Sequence, residues 1–284
     1  MRVVDLLYQP APAFSFEFFP PKTDKGVGRL LARVEHLAEL KPAFVSVTYG
    51  AGGGTRARTV AVARAIKREL GIEAVAHLTC TGHSRAELET LVDELVDAGI
   101  ENVLALRGDL RPEIPTGELT YASELVDLIR RRHPDLCIGA ACYPEKHLES
   151  PDIDSDMAHL KAKVDAGVDF LVTQLFFKNR YFFEFQDRAV AAGIKVPIVP
   201  GLMPVTNVAQ IERFTQMCGA EIPDPLHERL GKWRDDDQAV MAVGIEWAIR
   251  QGRELLAKGA PGLHFYTLNR SLATRVVHAS LSGI

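Results

Sequence analysis

Several side chains able to do chemistry stand within or just after short apolar runs of this sequence. Glu17 lies inside the aromatic run 14–19, where burial disfavours a charged carboxylate and suits the group to act as a general acid. Asp109 follows Arg107 and Gly108, and the amide of Gln174 follows another apolar run. Each has a structural alternative, namely an ion pair for Glu17, a turn or ion pair for Asp109, and a backbone hydrogen bond for Gln174.

Further polar residues occur where other apolar runs end. They are Thr48, Tyr49, His77, Arg107, Tyr143, His147, Tyr266 and Arg270. A ring of ionisable and amide groups on apolar strands predicts a small-molecule site. The stretch 52–55, Gly-Gly-Gly-Thr, is placed as a phosphate cradle would be, but a flexible loop explains it as well, because the full glycine pattern of dinucleotide sites is absent.

Other chemistries lack their usual motifs. The nine histidines include no H-E-x-x-H pair, and no G-x-S-x-G or Walker loop occurs, so we predict no catalytic metal and no hydrolase or kinase activity. The cysteines lack the spacing of a metal clamp and are predicted to be free buried thiols. They are Cys80, Cys137, Cys142 and Cys218.

Composition and charge restrict the partners. The net charge of −4 gives no basic excess for nucleic acid. No run approaches the roughly 18 apolar residues that a membrane span needs, and the first residues do not fit a secretory signal. We therefore expect a cytoplasmic protein that binds neither nucleic acid nor membrane.

The elements that must carry these side chains follow from a repeated junction. Amphipathic runs end in glycine, an aliphatic residue follows, and a β-rich run begins, at Gly71, Gly99, Gly167 and Gly193. Eight β-type runs are predicted, and most are followed by helix-like segments. They cover 13–19, 43–49, 73–79, 102–107, 136–143, 170–176, 196–202 and 263–268.

Eight such units in 284 residues are typical of a closed parallel barrel. We predict the α/β class, with a single eight-stranded parallel βα (TIM) barrel domain over 1–284. The long last crossover, 206–258, is predicted to hold extra helix. The alternative is an open doubly wound sheet, whose ligand would sit at one switch point.

Seven motifs in order carry a family resemblance. They are FSFEFFPPK at 14–22, VTYG at 47–50, HLTC at 77–80, LRGD at 106–109, YPE at 143–145, TQ at 173–174 and FYTLNR at 265–270. With them the chain resembles the bacterial methylenetetrahydrofolate reductases from about 13 to 278. The resemblance includes no regulatory extension.

The resemblance implies an FAD-bearing barrel that reduces 5,10-methylenetetrahydrofolate to 5-methyltetrahydrofolate. A reduced nicotinamide passes hydride to the flavin and leaves, and the folate then occupies the same face. Glu17 matches the acid that protonates the departing folate nitrogen, and Asp109 matches the aspartate beside flavin and pterin. The implied catalytic residues are Glu17 and Asp109, and the implied substrate contacts are Asp109, Gln174, Tyr266 and Arg270.

The same matching implies a set of flavin contacts. They are Thr48, Tyr49, Ala51, His77, Arg107, Gly108, Asp109, Tyr121, Ala122, Tyr143, His147, Asp156, His159 and Lys163. Three of them, Asp156, His159 and Lys163, are spaced along one predicted helix face. The sequence departs from the family pattern at His159, Ala162 and Val208.

The implied partners are a folate and a nicotinamide nucleotide, with NADH and NADPH not distinguished, in a homo-oligomer. A different class of function remains open, in which the chain is a folate- or flavin-binding subunit that receives electrons from another protein. A pterin-binding methyltransferase barrel without flavin is disfavoured by the Arg-Gly-Asp strand end, Asp156 and Lys163.

Overall fold

A computed structural model describes residues 1–21, 23–49, 53–109, 112, 116–270 and 272–283, without the side chains of Asp24 and 53–57. In this part of the chain nine strands form one sheet in which all pairings are parallel. The strands are β1 (Ala13–Phe18), β2 (Phe44–Val47), β3 (Ala74–Thr79), β4 (Asn102–Leu106), β5 (Cys137–Cys142), β6 (Phe170–Thr173), β7 (Ile198–Val199), β8 (Gly201–Leu202) and β9 (Gly262–Tyr266).

The predicted count of eight strands is corrected to nine, because the run 196–202 is divided at Pro200. Proline has no amide hydrogen and cannot donate to a sheet ladder. The segment before it, β7, pairs with β6, and the segment after it, β8, pairs with β9. The strand order is β7-β6-β5-β4-β3-β2-β1-β9-β8, so the two ends of the sheet are joined through Pro200. This sequential order confirms a parallel barrel, nearly closed, and excludes the doubly wound alternative.

Helices follow the strands as the glycine junctions predicted. All four junction glycines have positive φ, between 66° at Gly71 and 121° at Gly167. The helices are α1 (Val3–Leu7), α2 (Asp24–Ala38), α3 (Gly53–Glu69), α4 (Arg85–Asp97), α5 (Ala122–Arg132), α6 (Ile153–Asp165), α7 (Asn179–Ala191), α8 (Val208–Cys218), α9 (Asp224–Lys232), α10 (Asp237–Ala257) and α11 (Leu272–Leu281). Within the described ranges, none of them is both long and apolar enough to cross a membrane.

The last crossover, between β8 and β9, holds three helices, α8, α9 and α10. The prediction of extra helix there is confirmed. The negative run at 235–237 contains the N-cap of α10, Asp236, whose carboxylate accepts hydrogen bonds from the amides of Gln238 and Ala239.

The amino-terminal end of the barrel is closed by α1. Its apolar residues Val3, Val4 and Leu7 pack against inward-facing strand residues, among them Phe44 and Phe170. Apolar packing fills this end of the barrel, so polar groups there must be paired. Chemistry is therefore confined to the opposite end, where the strands finish.

One buried amide fastens α1 to the barrel. Asn102 is fully buried at the start of β4. Its Oδ1 accepts from the Val3 amide at 2.7 Å, and its Nδ2 donates to the Met1 carbonyl at 3.0 Å and to Glu73 Oε1 at 2.9 Å.

Asn102→Ala is expected to lower the free energy of unfolding by about 2 kcal/mol, because it leaves buried polar groups without partners. Urea unfolding at neutral pH measures the change. Gln238→Ala, at an exposed position, serves as the control and should change stability by less than about 0.5 kcal/mol. Equal, small effects of both substitutions would contradict this role for Asn102.

Candidate active site

Glu17 occupies the end of β1 and points into the barrel. Only 7% of the residue is exposed. Its Oε2 lies 3.5 Å from Nε2 of His77 on β3 and 3.7 Å from Nε2 of His264 on β9. Burial lowers the pKa of His77 to about 4, so this ring is neutral at neutral pH. The predicted burial of the candidate acid is confirmed, in a setting of two imidazoles that the sequence alone did not indicate.

Tyr266, on β9, contacts both the strand of Glu17, β1, and the strand that precedes Gln174, β6. It is the register partner of Glu17 across β1 and β9. Its hydroxyl donates to the carbonyl of Thr173, the last residue of β6, at 2.5 Å. Burial raises the pKa of Tyr266 well above its usual value, so the hydroxyl keeps its proton. This tyrosine, predicted as a substrate contact, spans the mouth of the barrel.

Gln174 follows β6 directly and is half-buried. Its backbone N–H donates to the Cys142 carbonyl at 2.7 Å, which ties it to the end of β5. Its side-chain Oε1 accepts from the Leu175 amide at 2.7 Å, a bond that also decides which amide atom is oxygen. The structural alternative for Gln174, a hydrogen bond to the backbone, is therefore present at its Oε1. The prediction that this side chain contacts a pterin now concerns its Nε2 alone.

The turn after β9 carries Arg270 and is fixed to the strand of Glu17. Leu268 and Asn269 have φ of 50° and 58°. Asn269 Oδ1 accepts from the Phe19 amide at 2.9 Å, and its Nδ2 donates to the Phe19 carbonyl at 3.0 Å. Arg270 itself is exposed. Sequence reasoning missed Asn269; its signal was an asparagine in a turn, since asparagine tolerates the left-handed conformation.

The end of β4 brings Arg107 beside a carboxylate that the sequence did not predict. Arg107 Nη1 and Nη2 donate to the two oxygens of Glu149 at 2.5 and 2.7 Å. Gly108 has φ of 90°, and a Cβ there would lie 3.0 Å from the Cβ of Thr79, so only glycine fits without strain. Asp109 follows at an exposed position.

The helix α6 presents two of its predicted flavin contacts to the barrel. Asp156 accepts from Ser150 Oγ at 2.8 Å and from the His147 amide at 3.2 Å. Lys163 Nζ donates to the Ala141 carbonyl at 2.5 Å, and burial lowers the pKa of this lysine. His159 is exposed. The predicted helix is confirmed, and Asp156 and Lys163 both face β5 or the loop that follows it.

The remaining predicted flavin contacts are spread around the same end. Thr48 and Tyr49 follow β2, and Tyr121 and Ala122 are the N-cap and the first residue of α5. Burial raises the pKa of Tyr143 to about 12. Its ring meets that of His147 edge-on, with centroids 4.6 Å apart. Ala51 and Gly52 lie outside the described residues, and the side chains of 53–55 are not described, so the proposed phosphate cradle stays a prediction.

A further acid links the loop after β5 to the last crossover. Glu145 Oε2 accepts from the Glu221 amide, in the loop between α8 and α9, at 2.9 Å. Its Oε1 is buried and lacks a hydrogen-bond partner among the described residues. Burial raises the pKa of Glu145 to about 7.

Comparison with known proteins identifies the family. The family profile for methylenetetrahydrofolate reductase matches residues 2–282. The chain belongs to the methylenetetrahydrofolate reductase family. The family predicted from the motifs, and the prediction of an enzyme of the oxidoreductase class, are both confirmed.

Individual relatives agree over most of the chain. The 5,10-methylenetetrahydrofolate reductase of Escherichia coli (strain K12) is 41% identical over 257 residues, covering 90% of this chain and 86% of that protein. Methylenetetrahydrofolate reductase 1 of Schizosaccharomyces pombe is 37% identical over 98% of this chain and 48% of its own length. The Arabidopsis thaliana methylenetetrahydrofolate reductase (NADH) 1 is 39% identical, over 95% and 49%. The chain thus spans about half the length of the yeast and plant relatives.

Solved structures share the fold at low sequence identity. A Clostridium thermocellum protein described as binding two copies of 5-methyl-5,6,7,8-tetrahydrofolic acid has a TM-score of 0.67 at 14% identity, covering 100% of this chain and 98% of that one. Dihydropteroate synthase from Xanthomonas albilineans has a TM-score of 0.54 at 14% identity, covering 95% and 91%. At these identities the likeness concerns the fold alone.

Glu145 predicts a pH dependence of stability. Its pKa is about 7 in the folded chain against 4.5 as a free side chain, so the folded state binds more protons between these values and stability falls as pH rises through this window. Glu145→Gln has no proton to lose. The free energy of unfolding of the variant minus that of the wild type should therefore increase by about 1–2 kcal/mol between about pH 4 and about pH 8, after allowance for partial exposure.

Chemical denaturation at the two pH values measures this difference. Glu228→Gln, on an exposed face of α9, is the matched control and should show no such gain. A constant difference between the Glu145 variant and the wild type would show that Glu145 is ionised throughout.

Proposed function

We propose that this chain reduces 5,10-methylenetetrahydrofolate to 5-methyltetrahydrofolate with electrons from NADH or NADPH. The observation that carries the proposal is Glu17, a carboxyl group buried at the end of β1 between two imidazoles. It stands in a chain that the family profile covers over 2–282. The product is a methyl donor, so the proposed role is the supply of methyl groups for methionine synthesis.

The folate step needs a proton and a negative charge in different places. Opening of the imidazolidine ring requires protonation of the departing nitrogen, for which Glu17 is the acid. The iminium ion that results is cationic, and Asp109 would favour it electrostatically. Gln174 would hold the pterin through its amide, and Arg270, on the turn fixed to β1 by Asn269, would hold the substrate beyond the pterin.

The described residues on the β4 and β5 side fit FAD. The ammonium group of Lys163 donates to a backbone carbonyl, and burial lowers its pKa, so an anionic diphosphate would stabilise its charged form. Arg107 offers a second cation, and Asp156 accepts hydroxyl donors as it accepts Ser150. When bound, the flavin would supply the hydride carrier between nicotinamide and folate.

The two substrates would use one face of the flavin in turn, which is ping-pong hydride transfer. The chain would then act alone, as a homo-oligomer, and NADH and NADPH both remain candidates as reductant. The name of the Arabidopsis relative favours NADH. A subunit that receives electrons from a partner protein is the alternative, and steady-state turnover by the isolated chain separates the two.

Glu17→Gln is expected to leave flavin reduction by nicotinamide within about twofold of wild type and to slow folate reduction by at least about a hundredfold, since the amide cannot donate the proton. Stopped-flow absorbance of the flavin measures each half-reaction separately. Glu35→Gln, on the exposed face of α2, is the control and should behave as wild type. Equal loss in both half-reactions would refute the acid role, and purified protein that stays colourless after incubation with FAD would refute the flavin.

Lys163→Met is expected to weaken FAD binding by about 10- to 100-fold, the value of one charged hydrogen bond. Lys161→Met is the matched control, because Lys161 lies on the same helix but pairs with Asp165 at 2.6 Å. Quenching of flavin fluorescence during titration of the apoprotein gives both constants. Similar weakening by the two substitutions would indicate a general loss of positive charge and contradict a direct contact by Lys163.

A further inference from the structure

A layer of polar side chains lies inside the barrel on the inner side of Glu17. Ser15, Ser46 and His264 come from three adjacent strands, and 0%, 2% and 1% of these residues are exposed. Alternation along a strand places Ser15 on the same face as Glu17, and His264 on the same face as Tyr266. None of the three has a role in the proposed function described so far.

Each ring nitrogen of His264 has a serine hydroxyl beside it. Ser15 Oγ lies 2.8 Å from His264 Nδ1 and also reaches the Leu263 carbonyl at 3.4 Å. A carbonyl can only accept, so where Ser15 donates to it the same hydroxyl accepts from Nδ1–H; where Ser15 donates to Nδ1 instead, the ring proton is on Nε2. In the first arrangement His264 Nε2 is a lone-pair acceptor, and Ser46 Oγ, 3.3 Å away, is its donor.

The same Nε2 faces the carboxyl group of Glu17. The distance from Nε2 to Oε2 is 3.7 Å, longer than a hydrogen bond, and such contacts often tighten when substrate binds. Two other titratable groups face Glu17. His77 approaches the same oxygen at 3.5 Å, and its Nε2 is buried without a hydrogen-bond partner among the described residues. The Tyr266 hydroxyl donates away from Glu17, to Thr173.

The ring of His264 is held in place by its neighbours. Phe44 stacks on it, with centroids 5.8 Å apart and planes at 15°. Tyr266 meets it edge-on at 5.5 Å. A ring fixed on both sides presents its nitrogens in constant directions, as a device for orienting another group requires.

We propose that His264 is a positioning residue for Glu17. In this arrangement the ring carries its proton on Nδ1, bonded to Ser15, and offers Nε2 as an acceptor to the carboxyl proton of Glu17. A hydrogen bond to the protonated form favours that form, so His264 keeps Glu17 able to act as an acid. The inference rests on the proposed function, because it assigns how the acid of that reaction is maintained.

The proton balance of the step involves Glu17 and the folate. The O–H bond of Glu17 breaks as an N–H bond forms on the departing folate nitrogen, and a carboxylate remains. Water returns a proton to Glu17 before the next turnover. His264 keeps its single proton on Nδ1 throughout, so it positions the acid and is not itself the donor.

Ser15→Ala tests this directly. Without the hydroxyl, the His264 proton is free to move to Nε2, where it donates to the Glu17 carboxylate and favours the ionised form. In the pH profile of the rate at which reduced flavin reduces the folate, the alkaline limb should move to lower pH by about one unit, which is the effect of one hydrogen bond. Rates well below the limb should equal wild type, and flavin reduction by nicotinamide should be unchanged at every pH.

Ser46→Ala is the matched variant, because it removes a hydroxyl from the other nitrogen of the same ring. Ser46 competes with Glu17 for Nε2, so its removal should move the alkaline limb in the opposite direction, to higher pH. Stopped-flow profiles of the FAD-loaded full chain measure both shifts. Shifts of the same sign, an unmoved Ser15→Ala profile, or a rate lowered by one factor at all pH values would each overturn the inference. Failure of the wild type to reduce the folate would instead reject the proposed function.

A second measurement needs neither folate nor the Ser15 variant. ¹⁵N NMR of histidine-labelled wild-type protein, with His264→Gln to identify the signal, reports which ring nitrogen is protonated. Protonation on Nδ1 is expected. Protonation on Nε2 would overturn the inference whatever the kinetic result.

Discussion

The meeting of Glu17 and Gln174 at one mouth of the barrel depends on how the parallel sheet closes at Pro200. The proline cannot donate a ladder hydrogen bond, so closure there uses other groups. Its carbonyl accepts from the His264 amide at 3.0 Å, and the next amide, of Gly201, donates to Thr173 Oγ1 at 2.9 Å. A Cβ on Gly201 would stand 2.5 Å from the Thr173 carbonyl and 2.7 Å from the Tyr266 hydroxyl. Glycine therefore lets β6 and β9 approach until Tyr266 reaches Thr173, which brings Gln174 to the same mouth as Glu17.

The barrel interior is divided into an apolar layer and a polar layer. Near α1 the inward residues are apolar, and Phe44 and Phe170 contact each other there. Further along the strands they become Ser15, Ser46 and His264, and then Glu17. Burying polar groups costs free energy unless they are paired, and Ser15 and Ser46 both bond to His264 across β1, β2 and β9. Glu17 therefore lies next to a layer of hydrogen-bonded polar side chains, which an all-aliphatic barrel would lack.

Local features of the fold could be predicted from the sequence, and contacts across the barrel could not. Gly71 and the other junction glycines end helices through their own backbone, so their spacing reveals the alternating βα units. Glu17 could be identified from its aromatic neighbours alone. In contrast, Ser15 contacts His264 across 249 residues, and which residues meet depends on strand register. The division at Pro200 was missed because the run 196–202 was read by its apolar composition, although proline argues against a continuous strand.

The two cations on the β4 and β5 side, Arg107 and Lys163, differ in the contacts that they would lose on binding an anion. Arg107 already has a bidentate carboxylate partner in Glu149, so a diphosphate must displace that carboxylate or share the guanidinium with it. Either course offsets part of the electrostatic gain. Lys163 would give up only a bond to the Ala141 carbonyl, and it sits where burial disfavours its charge. An anion relieves that penalty, so the net gain per cation is larger at Lys163, although both residues carry the same formal charge.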